Sequence, residues 1–136
     1  MLGQFQHSSL RLEVEATEAA IAQSLTQKDD LQKWLFPQQL DAEMPAQLKV
    51  GDRFTNQLGP IRVTHEVDIC NETSLRLLLS EGIDGFHEWH WGEGWVQSRL
   101  EGISVLPLNL GLTLALWRLR LHLAQTKSQA AADSSE

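Results

Sequence analysis

From Ile61 to Ser104 the chain alternates apolar and polar side chains almost without a break, and a single Leu-rich segment then begins near Pro107. Alternation at period two marks strands that keep one face in a core and the other in water. Several such strands in succession leave one long apolar face, and only the segment after Pro107 remains to cover it. Ahead of this meander come one strand and two short helices. The order strand, helix pair, meander, long helix predicts an α+β fold. A curved antiparallel sheet of six or seven strands grips the C-terminal helix, and the helix pair closes one end.

The individual elements follow from local signals. Leu10, Leu12 and Val14 alternate with Arg11, Glu13 and Glu15, which predicts a first strand within Phe5 to Ala16. Thr17 is a candidate N-cap for a helix carrying Ile21 and Leu25, with Glu18 at the positive end of its dipole. Thr26 is a second candidate cap, for a helix with Leu31, Trp34 and Leu35 that Pro37 should stop. Leu40, Ala42 and Met44 suggest a short strand that Pro45 confines to an edge. Val50-Gly51-Asp52 reads as a turn into a strand over 53–58, closed by Gly59-Pro60. Glu81 to Gly85 reads as a loop, and Gly92-Glu93-Gly94 as a tight hairpin.

The last segment is too long for a strand and is read as a helix over 108–126, with Leu112, Leu116, Leu119 and Leu123 at helical spacing. Leu114, Trp117 and Leu121 widen that stripe, so burial around much of the helix is expected. Arg118, Arg120 and His122 suit the negative end of its dipole. Residues 1–126 read as one domain, and residues 127–136, small and polar, as a flexible tail.

Composition narrows the function classes. A net charge of −7 and a pI near 5.1 argue against nucleic acid or an anionic membrane as partner. The longest apolar stretch, Val105 to Trp117, is broken by Pro107, Asn109, Gly111 and Thr113, too short for membrane insertion. Cys70 has no second cysteine to pair with, and no signal peptide is evident, so a reducing, cytoplasmic setting is expected.

Topology and two local motifs resemble the START-like superfamily, also called SRPBCC or helix-grip. Trp34 near the end of the second helix is similar to a Trp of that family, and Leu48-Lys49-Val50-Gly51-Asp52-Arg53-Phe54 is similar to its turn into the sheet. The resemblance spans residues 5–126. It implies a hydrophobic cavity between sheet and C-terminal helix, in a superfamily that includes lipid and hormone carriers, polyketide cyclases and chaperone co-activators.

Matching the alternation from strand to strand assigns the inner face. Ile61, Val63, His65, Val67 and Ile69 go together with Leu75, Leu77 and Leu79, then with His87, Trp89 and Trp91, then with Val96, Ser98 and Leu100. The candidate ligand-binding residues are therefore His65, Val67, Leu77, His87, Trp89, Trp91 and Ser98, with Leu112 and Leu116 from the helix. Apolar walls with a few polar groups suit a small apolar molecule. Bulky tryptophans can equally fill that space and leave an ordinary core.

Other chemistry finds less support. His87-Glu88-Trp89-His90 looks like a metal site, but an odd spacing on a strand sends the two histidines to opposite faces, so no metal and no cofactor is expected. Cys70 alternates onto the outer face. An acid–base pair would use Asp84 at the cavity mouth with His65 or His87. Enzymatic activity of a cyclase or hydrolase type and a protein-interaction module with a filled core stay open. Leu106, Leu108 and Leu110 are candidates for an exposed patch, and a homodimer through it is compatible with the pattern.

Overall fold

The computed structural model describes residues 3–35, 38–104 and 107–134. Seven antiparallel strands form one open sheet in the order β1-β7-β6-β5-β4-β3-β2. Their spans are β1 Gln4–Glu13, β2 Gln39–Leu40, β3 Arg53–Leu58, β4 Ile61–Cys70, β5 Ser74–Glu81, β6 Ile83–Gly92 and β7 Trp95–Ser104. Helices α1 (Glu18–Thr26) and α2 (Lys28–Trp34) follow β1, and α3 (Leu108–Ser134) ends the chain. The fold is the expected α+β helix-grip arrangement. Strands β3 to β7 follow one another as neighbours, and β1 pairs with β7, so the first and last strands are held side by side.

Alternation delivers the inner face as expected along most of the meander. Leu75, Leu77 and Leu79 are buried on β5, Trp89 and Trp91 on β6, and Val96, Ser98 and Leu100 on β7. Strand β4 departs from its pattern. Val67 pairs with Leu77 but Ile69 pairs with Arg76, so Asp68 is an extra residue in a β-bulge. The bulge turns Ile69 out to solvent and brings Cys70, opposite Leu75, onto the core side. Both placements correct the alternation, which has no means of registering an inserted residue.

Three further boundaries differ from expectation. Met44 is buried but lies in a turn, because β2 is only Gln39–Leu40. The loop expected over 81–85 contracts to a tight turn in which Glu81 takes φ 72°, so β6 begins at Ile83. Thr26 does not cap α2. Its hydroxyl donates back to the Ala22 carbonyl at 2.7 Å, and the N-cap position is Gln27. Thr17 does cap α1, accepting from the Ala20 N–H at 3.1 Å, and Glu93 at the β6–β7 hairpin tip accepts from the Glu18 N–H at 2.8 Å. The Pro37 stop and Leu106 lie outside the described residues.

Helix α3 lies on the inner face, against β1 and β7. Leu108, Leu112, Leu116, Leu119 and Leu123 are buried there, at about 1.5–3 kcal/mol each. Of the candidate exposed patch, Leu110 is 65% exposed but Leu108 is buried; on the same outer side Leu114, Trp117 and Leu121, expected to widen the buried stripe, are 45–56% exposed. A single sheet covers one stripe of a helix, and no other element reaches the far side among the described residues. The helix also continues to Ser134 instead of ending at 126, so residues 127–134 have helical backbone. Arg118 Nε donates to the Trp34 carbonyl at 2.7 Å, tying α3 to the end of α2.

Two inner-face glycines let β6 and β7 lie side by side with no Cβ between them. Gly85 and Gly102 stand directly opposite each other on β6 and β7. A Cβ on Gly85 would fall 1.9 Å from the Glu101 carbonyl oxygen, and one on Gly102 would fall 2.7 Å from that of Asp84. Gln6, opposite Gly102 on β1, accepts from the Leu108 N–H at 3.0 Å and so anchors the first turn of α3.

Candidate ligand cavity

A cavity of about 200 Å³ opens between the inner face, the helix pair and the first half of α3. The sheet contributes side chains from β3 to β7, including Phe54, Val63, Leu77, Leu79, Ile83 and Leu100. The helix pair contributes Leu25, Leu31 and Trp34, and α3 contributes Leu108, Gly111, Leu112 and Ala115. No carboxylate, lysine or arginine lines it among the described residues. Its polar side chains apart from tryptophan are Gln38, Asn56, His65 and His87.

Of the candidate residues, His65, Leu77, His87, Trp89 and Leu112 line this cavity. Val67, Trp91 and Leu116 do not. They are buried in packed core beyond it, each about 1% exposed. Alternation assigns a face to them but not a position along it. Ser98 also stands off the wall, as the hydrogen-bond partner of His87. Asp84 falls on the outer face, exposed, with Ile83 and Gly85 turned inward beside it, so the proposed Asp84–histidine pair does not form. His90 also lies outward, within 3.0 Å of Ser74 Oγ and 2.8 Å of Glu88.

An aromatic ladder forms one wall. Trp34 meets Trp89 edge to face at 6.0 Å, and Trp89 tilts against His87 at 4.7 Å. Trp34 Nε1 donates to the Ser24 carbonyl at 2.8 Å, which fixes the indole that closes the helix-pair end. On the neighbouring strands His65 stacks nearly parallel on Phe54 at 4.7 Å.

Hydrogen-bond partners orient each ring. Ser98 Oγ lies 2.7 Å from His87 Nε2 and 3.3 Å from the Glu88 carbonyl, so its hydroxyl either donates to that carbonyl and accepts the His87 Nε2–H or donates to His87 Nε2 itself. Asn56 donates its amide to Gln38 Oε1, and its own Oδ1 accepts from His65 Nε2–H at 2.7 Å. With the Asn56 amide so oriented, His65 is the Nε2–H tautomer, with its lone pair on Nδ1. The Nδ1 of His65 is buried without a partner, which costs about 1–3 kcal/mol as it stands. Burial pushes the His65 pKa down to about 4. Burial, then the nearby His65 charge, pushes that of His87 down to about 3. Both rings are neutral at neutral pH.

This arrangement weighs against acyl-transfer chemistry. A serine nucleophile must present its hydroxyl to the substrate, whereas Ser98 is buried off the cavity wall. Cys70 lies outside the cavity wall, and burial, then Asp52, pushes its thiol pKa up, away from the reactive thiolate. Asn56 and Gln38 escaped the sequence reading. The signal for Asn56 was present, because Phe54 as an inward residue on β3 places Asn56 inward too.

No protein-family model and no curated protein sequence matches this chain. Solved structures do. The Aha1 dimer from Colwellia psychrerythraea matches with a TM-score of 0.64 at 15% identity, over 87% of this chain and 96% of that one. Norcoclaurine synthase from Thalictrum flavum, in complex with dopamine and hydroxybenzaldehyde, matches with 0.65 at 14% identity, over 90% and 88%. CalU16 from Micromonospora echinospora matches with 0.62 at 14% identity, over 95% and 83%. Sequence order, sheet topology, gripped helix and these neighbours agree: the chain has the START-like, helix-grip fold.

Proposed function

We propose that this protein binds a small, predominantly apolar molecule in the cavity between sheet and α3, as a carrier or sensor. The supporting observation is the cavity itself, with its apolar wall and four uncharged polar groups at neutral pH. Engineered apolar cavities of about 150 Å³ hold benzene, so about 200 Å³ suits a ligand of roughly eight to twelve non-hydrogen atoms. The norcoclaurine synthase complex holds two small aromatic compounds in the same fold, which supports this size class. Native mass spectrometry of freshly purified protein should show a retained small molecule. Apolar aromatic ligands should quench Trp34 and Trp89. Failure of both assays would leave a protein-interaction module as the better reading.

The outer stripe of α3 favours a second property, self-association. Leu110, Leu114, Trp117 and Leu121 recur at spacings of four, three and four, the seam of a helix pair. One structural neighbour was solved as a dimer. A homodimer through α3 would cover this stripe, and sedimentation equilibrium would detect it. No helix among the described residues is long and apolar enough to cross a membrane.

A further inference from the structure

Of the nine glycines in the chain, all but Gly111 either take a positive φ or would set a Cβ within 2.9 Å of a neighbouring atom. Gly111 does neither. Its backbone is helical, its N–H donates to the Pro107 carbonyl at 3.2 Å, and a Cβ there would meet no atom within 4 Å. Glycine inside a helix is less stable than alanine, because it loses more backbone freedom on folding. Neither the backbone nor the packing requires that loss here. The position of Gly111 supplies a reason. It lines the cavity yet is exposed, as is Pro107 one turn earlier, and Ala115 one turn later lines the cavity half-buried. Residues four apart share one flank of a helix. Leu108 and Leu112 beside this flank are buried, whereas Leu110 and Leu114 on its other side are exposed. Here the cavity wall passes into the molecular surface. Leu35, another half-buried lining residue, follows Trp34, whose carbonyl Arg118 holds against the next turn of α3.

We infer that Gly111 is the clearance in the mouth of the cavity: its missing side chain leaves the passage for a ligand and sets how fast, and how wide, a molecule enters. This rests on the ligand-binding reading above and adds a specificity-determining residue to it. A bound molecule lies against the leucines and aromatic rings deeper in the chamber, so a side chain at position 111 meets it in passage and not at rest. A barrier raised only on passage slows association and dissociation by the same factor and cancels from the dissociation constant. A side chain that reached the bound ligand would instead change affinity, mainly through dissociation.

The test follows two neutral probes, nitrobenzene and the wider nitromesitylene, binding to the full-length protein by stopped-flow quenching of tryptophan. In Gly111→Leu both association and dissociation should slow at least about tenfold, more for nitromesitylene than for nitrobenzene, with the dissociation constant kept within about threefold. Gly111→Ala should slow both rates by about two- to threefold. It should also raise the unfolding temperature, because a helix glycine has been removed. Thr113→Leu, exposed on a different side of the same helix, should leave the rates unchanged. If Gly111→Leu does not fold, the rates of Gly111→Ala decide the matter: equal slowing of both supports the passage, and unchanged rates overturn it. Unchanged rates in a folded Gly111→Leu, or an affinity weakened more than about tenfold without slower association, overturn the passage while leaving ligand binding intact. A lower unfolding temperature for Gly111→Ala, or equal slowing by Thr113→Leu, does the same. Binding of neither probe to the unmodified protein overturns the ligand-binding reading, and the passage with it.

Discussion

Trp89 and Trp91 stand two residues apart on one strand and point to the same side, yet their surroundings differ. Trp89 is 3% exposed and forms part of a cavity wall, between Trp34 and His87. Trp91 is 1% exposed, pairs across the sheet with Val96, and borders no cavity. The difference comes from what lies above each. Toward the hairpin end the sheet is filled by buried residues of β7, α1 and the second half of α3, among them Val96, Ile21, Leu119 and Leu123. Toward the other end the first half of α3 offers Gly111 and Ala115 as well as leucines, and space remains. One face of one sheet thus serves as solid core along part of its length and as a container along the rest.

Truncating Trp91 should give the largest effect. Trp91→Ala should destabilise the fold by about 4–5 kcal/mol in denaturant unfolding, with little change in ligand affinity among molecules that still fold. Trp89→Ala should cost less, about 3 kcal/mol, because part of its surface already borders empty space, but it should change ligand affinity or selectivity. Equal costs with equal ligand effects would break the distinction between the two regions.

A pH titration sharpens it, because the two neutral histidines belong to the container. Their folded pKa values lie below the unfolded value near 6.5, so the unfolded chain takes up protons first as pH falls. Their contribution is fully present above pH 6.5 and declines between 6.5 and about 4 for His65, or about 3 for His87. The decline should approach about 1.4 kcal/mol per pH unit for each histidine. The double variant His65→Leu with His87→Leu should lose that part of the slope in unfolding curves measured between pH 7 and pH 4.5. An unchanged slope would mean that water reaches the two rings. The smallest expected effect lies outside both regions. Trp117→Gln on the exposed side of α3 should shift stability by no more than about 0.5 kcal/mol, while abolishing any self-association seen by sedimentation.

Much of the fold was legible because its main signal is local and repeated. Strand alternation from Val63 to Leu100 assigned the inner face, and Leu112, Leu116, Leu119 and Leu123 identified the helix that covers it. Three features stayed hidden for physical reasons. The bulge at Asp68 inserts one residue without changing composition, so Ile69 and Cys70 exchange faces unseen. The apolar side of α3 at Leu114, Trp117 and Leu121 looks buried in a sequence, because hydrophobicity does not say how many neighbours a helix has. The limits of the cavity depend on which long side chains meet across layers. His65, Leu77, His87, Trp89 and Leu112 were therefore placed on its wall, and Val67, Trp91 and Leu116 were placed there too although they lie past its end.

The facing glycines at 85 and 102 give this division a control that lies outside the cavity wall. Each has a hydrogen where a Cβ would strike the backbone of the facing strand, next to the strand that holds the first turn of α3. A single added methyl at either position would act as a wedge, parting the strands and lifting the near end of the helix from its anchor. The ceiling over the chamber would rise or tilt with no lining residue altered. Chamber height would in this way answer to backbone spacing at two positions, apart from the polar groups that decide which molecule is met.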